Sequence, residues 1–196
     1  IAKETGTRLC IAHTSSKETV AIRVREMAAG NHSFILESCP HYMQFTRKNM
    51  EGPNGALYTM NPPLRSQEDA DRLMEAVMRE EISILSTDHC PYSKQYKLGT
   101  NYETVPCGVD GVQTRMQYYF SEAVVKRGLP MEAFVRMTST NAAKFYGLYP
   151  RKGTIAVGSD ADLAFFDPAP SWTYSMDDVV GATDYSIFEG FPLRGR

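Results

Sequence analysis

Residues 81–92 constrain the fold more than any other stretch of this 196-residue chain. They run Glu-Ile-Ser-Ile-Leu-Ser-Thr-Asp-His-Cys-Pro-Tyr. The first half is apolar and β-branched, which suits a strand buried on both faces. Pro91 cannot donate to a strand ladder, so the strand ends near Asp88 and His89. An acid at the C-terminal end of a buried strand is where an α/β barrel keeps its catalytic groups. The plainer alternative is an Asp that caps the following turn.

The preceding chain repeats the same theme. Gly6 reads as the glycine that closes a helix whose start lies before Ile1. Residues 8–13 then read as a buried strand ending in His13. Ser15-Ser16-Lys17-Glu18 has the spacing of a capping box, and Val20, Ala21, Val24, Met27 and Ala28 follow at helical intervals up to Gly30. Residues 33–38 form a second strand, stopped at Cys39-Pro40. Residues 42–58 read as a long polar loop, and Asn61-Pro62-Pro63 as a rigid turn. A second capping box, Ser66 to Asp69, opens a helix that buries Ala70, Leu73, Met74, Val77 and Met78 and leads into the Asp88 strand. Strands alternating with helices predict an α/β fold with parallel strands.

Residues 93–110 form a loop of the length that often serves as a lid. Further helices are predicted at 112–123, 132–137 and 141–146, punctuated by Gly128, Pro130 and Gly147. The pattern changes at Pro150, after which short β-like runs (154–156, 163–166 and 172–174) suggest a small β domain. The expected domains are therefore 1–149 and 150–196. The chain opens at Ile1 inside a helix end and stops at Arg196 after a strand-like run, which suggests part of a larger protein.

Composition narrows the function classes. The net charge is -2, which carries no nucleic-acid footprint. No apolar run reaches membrane-spanning length and no signal peptide is visible. The four cysteines are scattered, without a Cys-x-x-Cys pair, and suit a reducing, cytoplasmic setting.

His13 and Asp88 each end a strand, and in a barrel both would face one mouth. A neutral imidazole and a carboxylate are suitable ligands for zinc or a similar divalent ion. Such an ion lowers the pKa of a bound water, and a nearby carboxylate can move a proton from that water to a leaving nitrogen. Equally, His13 could be a hydrogen-bonded core histidine. His41 and His89 read better as supports than as ligands, and His32 as a solvent-exposed turn residue. Cys90 and Cys107 have no base placed to activate them.

Several runs carry a resemblance. They are residues 11–15 (Ile-Ala-His-Thr-Ser), 37–42 (Glu-Ser-Cys-Pro-His-Tyr), 61–65 (Asn-Pro-Pro-Leu-Arg), 86–90 (Ser-Thr-Asp-His-Cys), 120–124 (Phe-Ser-Glu-Ala-Val), 138–144 and 147–163. With them the chain resembles the C-terminal part of a cyclic amidohydrolase of the hydantoinase/dihydropyrimidinase branch of the amidohydrolase superfamily. The resemblance implies the C-terminal portion of a (β/α)8 TIM-like barrel, followed by part of a small β-sandwich. It implies an enzyme that opens a small cyclic amide or ureide with metal-activated water, using a divalent metal, two zinc ions in each intact subunit. His13 matches the last metal-binding histidine, on the sixth barrel strand. Asp88 matches the metal-binding general base on the eighth. The remaining ligands, a His-x-His, a carboxylated lysine and another histidine, would lie upstream of Ile1.

Asn61 and Cys107 fall at the positions whose backbone groups hold the ring amide in such enzymes. Both depart from the usual hydantoinase pattern, which has Ser and Asn there. The Asn-Pro-Pro-Leu-Arg run is similar to dihydroorotases, and Cys-Pro-His-Tyr at 39–42 to allantoinases, so those substrates are alternatives. A non-catalytic scaffold related to dihydropyrimidinase is an alternative of another class. The family implies a homo-oligomer, commonly a tetramer.

Overall fold

The computed structural model describes residues 1–99 and 101–196. A short helix, α1 (Ala2–Thr5), ends at Gly6, whose φ is +69°. Three strands, β1 (Leu9–Ile11), β2 (Phe34–Ser38) and β3 (Ile84–Leu85), form a parallel sheet in sequence order. Parallel neighbours need a long crossover, and a helix supplies each one. Helix α2 (Lys17–Ala28) links β1 to β2, and α4 (Gln67–Met78) lies between β2 and β3. The α/β class read from the sequence is therefore the observed one. Val20, Leu36, Leu73, Val77, Ile82 and Leu85 have no exposed surface and form the centre of one apolar core.

The two predicted capping boxes fare differently. At α4, Ser66 Oγ accepts the Asp69 amide N–H while the Asp69 carboxylate binds back, as expected. At α2 the cap is Ser16, whose hydroxyl accepts the Thr19 amide, and not Ser15. Ser15 Oγ instead accepts Arg65 Nε–H at 2.9 Å, tying the start of α2 to the Pro-Pro-Leu-Arg turn. The expected apolar face of α2 is also only partly buried: Val20 and Arg23 face inward, while Ile22, Val24 and Met27 are exposed.

Residues 42–58 are more ordered than a loop. Pro40 opens a short helix, α3 (Pro40–Gln44), and single turns of 3-10 helix follow at Arg47–Met50 and Gly55–Tyr58. The 93–110 segment, which includes Thr100 outside the described residues, begins with a helical turn, α5 (Lys94–Lys97). Helix α6 (Arg115–Tyr119) continues without a break through a wider π turn at Phe120–Val125. Helices α7 (Met131–Val135) and α8 (Asn141–Phe145) join through another such turn into one rod, where two helices are expected.

Beyond Pro150 the runs 154–156 and 163–166 are not strands. They lie irregular or extended, with Ile155, Val157, Leu163 and Phe165 exposed. The strand expected at 172–174 is present as β4 (Ser171–Thr173), paired antiparallel with β5 (Pro192–Arg194). This hairpin is anchored on the first part of the chain. Tyr174, Phe188 and Leu193 join the common core, and the Arg194 amide donates to Ser121 Oγ at 2.7 Å. No helix among the described residues is long and apolar enough to cross a membrane.

Candidate active site at the ends of the parallel strands

β1 and β3 each continue past their last paired residue into a sharp turn, and the turns carry His13 and Asp88. Both residues have φ of +44°, in the left-handed region. That region is costly for residues with a side chain, though His and Asp are among those that tolerate it best. Among the described residues only one other non-glycine, Glu80, has positive φ. The strained turns bring His13 Nε2 to 3.8 Å from Asp88 Oδ1, with 39% and 30% of the two side chains open to solvent. The separation exceeds a hydrogen bond. It is slightly shorter than two metal–ligand bonds of about 2.1 Å each laid end to end, so one divalent ion fits between the two atoms.

Glu37, at the end of β2, holds this arrangement, and sequence reasoning gave it no role of its own. Its carboxylate accepts the His13 amide N–H at 3.1 Å, the Ser86 hydroxyl, and the Cys39 thiol at 3.5 Å. The Glu37 carbonyl accepts the Thr14 amide at 2.8 Å, and Ser38 Oγ donates to the Thr14 carbonyl at 2.7 Å. The left-handed turn at His13 is therefore fixed from the neighbouring strand. The signal was a lone acid in the otherwise apolar run Phe34-Ile35-Leu36.

His41 is 1% exposed and neither ring nitrogen has a hydrogen-bond partner. Burial, with a smaller contribution from His13, pushes its pKa down to about 3. It is a neutral wall of the site and does not line an open mouth. His89 is exposed, and its Nδ1 accepts the Gly111 and Val112 amides at 3.1 and 3.3 Å, so it braces the following loop. His32 is exposed, as expected.

Asn61 and Cys107 are both exposed and lie on adjoining backbone segments. The Gly108 amide donates to the Thr59 carbonyl at 2.9 Å, bringing the residue after Cys107 against the residue two before Asn61. The Cys90 amide donates to the Val109 carbonyl at 2.9 Å, and His89 bridges Val109 in parallel fashion. Tyr42, next to His41, donates its hydroxyl to the Pro62 carbonyl at 2.9 Å. These contacts join α3, the Asn61 turn, the Cys107 loop and the β3 turn in a ring of segments, to which the His13–Asp88 approach adds the β1 turn. All four sequence-predicted site residues lie on that ring.

Among the described residues, no group of three or more His, Cys, Asp or Glu could hold a metal ion. His13 and Asp88 by themselves offer one nitrogen and one oxygen donor of the kind a divalent ion takes.

The model of the amidohydrolase family matches residues 1–190. The D-hydantoinase of Streptomyces coelicolor is 34% identical over 201 residues, covering 100% of this chain and 43% of that protein. Among solved structures, D-hydantoinase from Bacillus sp. AR9 superposes with a TM-score of 0.93 at 33% identity, over 98% of this chain and 43% of its own. Dihydropyrimidinase from Brevibacillus agri gives 0.90 at 35% identity, over 96% and 42%. The chain spans roughly two fifths of the length of these relatives, 43% in the Streptomyces case. A family match over nearly the whole chain, together with likeness in sequence and in structure to hydantoinases and dihydropyrimidinases, shows that this chain belongs to the amidohydrolase family.

Proposed function

We propose that the protein hydrolyses a small cyclic amide, a hydantoin or dihydropyrimidine ring, and that His13 and Asp88 hold a divalent metal for this reaction. The observation that carries the reading is the His13–Asp88 pair, two strained residues at the ends of parallel strands, 3.8 Å apart. In this reading β1, β2 and β3 are strands six to eight of a (β/α)8 barrel, whose catalytic groups gather at the C-terminal ends of the strands. Residues 150–196 belong to a small β-sandwich. In this reading His13 and Asp88 would hold one of two zinc ions, with the family's carboxylated lysine as a further ligand, and the metal would supply a water of lowered pKa. His13 would be a metal ligand, held in place by Glu37 through the His13 amide. Asp88 accepts the proton of the attacking water and returns it to the ring nitrogen as the C–N bond breaks. Backbone groups at Asn61 and Cys107 hold the ring amide, which is why departures in side chain there are tolerated. The assembly is a cytoplasmic homotetramer.

The buried His41 bears on substrate choice. The Cys-Pro-His-Tyr likeness to allantoinases concerns a side chain that reaches no open space, so it does not favour allantoin. The test is ring opening by the zinc-loaded full-length protein, offered hydantoin, dihydrouracil, allantoin and dihydroorotate in parallel. Turnover of hydantoin or dihydrouracil is expected. Turnover of allantoin or dihydroorotate alone would move the protein to that branch. Zinc binding without turnover would point to an untested cyclic imide or amide, and failure both to bind zinc and to open any ring would leave the scaffold reading.

A further inference from the structure

The Lys97 side chain is fully buried, although it ends the helical turn α5 in a polar segment. Its ammonium donates to the Gly108 carbonyl at 2.6 Å, the Thr59 carbonyl at 2.9 Å and the Leu57 carbonyl at 3.2 Å. An ammonium has three N–H donors pointing apart, and the carbonyls come from two separate segments. Leu57 and Thr59 lead into Asn61, and Gly108 follows Cys107. The Thr59 carbonyl also accepts the Gly108 amide, so the two segments are joined directly and through Lys97. Gly108 completes the clamp: its φ is +151°, and a Cβ there would collide with the Cys90 carbonyl, so the loop is seated tightly on the chain just past Asp88.

We propose that Lys97 is a positioning residue that fastens the Asn61 turn to the Cys107 loop and so sets the spacing of the groups that hold the ring amide. The proposal deepens the function argued above and rests on its assignment of those two segments to substrate binding. Burying a cation here is costly: desolvation pulls the Lys97 pKa down to about 8, against an upward pull from the Cys107 and Cys90 thiols. The Tyr185 ring, 5.9 Å from the ammonium, adds a weak cation–π contact. A buried methionine would avoid the desolvation cost but would take the donor from the Gly108 carbonyl and remove the ammonium that joins it to the Leu57 and Thr59 carbonyls.

The test uses the zinc-loaded full-length protein with Lys97→Met and Lys97→Arg. Methionine has similar length and no donor. Arginine keeps a cation, but its planar fork does not converge on these carbonyls. Hydrogen exchange, resolved by peptide, reads the clamp without reference to substrate. In the Met variant, exchange in the 106–110 segment is expected to accelerate at least about tenfold, while β2 is unchanged. With the ring substrate, kcat/KM is expected to fall about 100-fold through KM, the scale of a 1 Å misplacement, at unchanged zinc content. Should the Met variant fail to fold, the Arg variant is read the same way. Unchanged exchange and unchanged KM in a folded variant would overturn the proposal. If the wild-type protein opens no ring, the function assignment fails by itself, and exchange still decides whether Lys97 is the clamp.

Discussion

His13 and Asp88 owe their meeting to two left-handed turns, and the strain in those turns is held by other residues. Glu37 is the clearest support, because its carboxylate accepts the His13 amide and the Ser86 hydroxyl. Glu37→Gln keeps the shape but replaces one acceptor oxygen with a donor. It is expected to weaken zinc binding by about 10- to 100-fold, the usual cost of losing a group that orients a metal ligand. Titration with a competing chelator checks this, and an unchanged Kd would contradict it. His41 gives a pH signature. Folded, it stays neutral down to about pH 3; unfolded, it takes a proton near 6.5. Below pH 6.5 the unfolded state therefore binds the extra proton, and stability falls as pH drops from 6.5 toward 3, by about 1.4 kcal/mol per unit. Urea unfolding at pH 7 and 4.5 should show that slope, and His41→Phe should flatten it.

At the scale of the element, the sequence was legible wherever a pattern ran for several turns or ended at a clear stop signal. Helix α4 was read with its cap and its buried face intact, because Ala70, Leu73, Met74 and Val77 repeat at helical spacing and Ser66 and Asp69 bind reciprocally. The α2 cap slipped by one residue because two serines stand side by side, and only geometry distinguishes Ser16, which caps, from Ser15, which holds Arg65. Ser16→Ala should therefore cost about 1 kcal/mol in chemical denaturation. Ser15→Ala should leave α2 intact and loosen the Arg65 turn; equal losses would contradict this assignment. Helix α3 and the 3-10 turns were missed because four or five residues are too few to show a period. The runs 154–156 and 163–166 have strand-like composition but pair with no strand among the described residues, and composition alone does not make a strand. Glu37 stood out only as an acid in an apolar run. Lys97 gave no signal, since a loop lysine is ordinarily solvated.

In the molecule as a whole, a parallel sheet, a ring of loops at its C-terminal edge and one antiparallel hairpin converge on a single apolar core. Residues far apart in sequence thereby meet at one edge: Glu37 reaches His13 and Ser86, and Thr59 reaches Gly108. The proposed tetramer is expected to sediment at four subunit masses in the full-length protein, and a monomer would contradict it. If the chemistry happens at the His13–Asp88 pair, as proposed, turnover by Asp88→Ala is the decisive readout. Full-length wild-type and variant protein, both incubated with zinc, would be compared on whichever ring the wild type opens. Asp88→Ala is expected to lose at least about 10²- to 10⁴-fold in kcat, the contribution of a general base, while keeping its melting temperature within a few degrees. An Asp88→Ala variant that opens the ring at the wild-type rate would contradict the proposal.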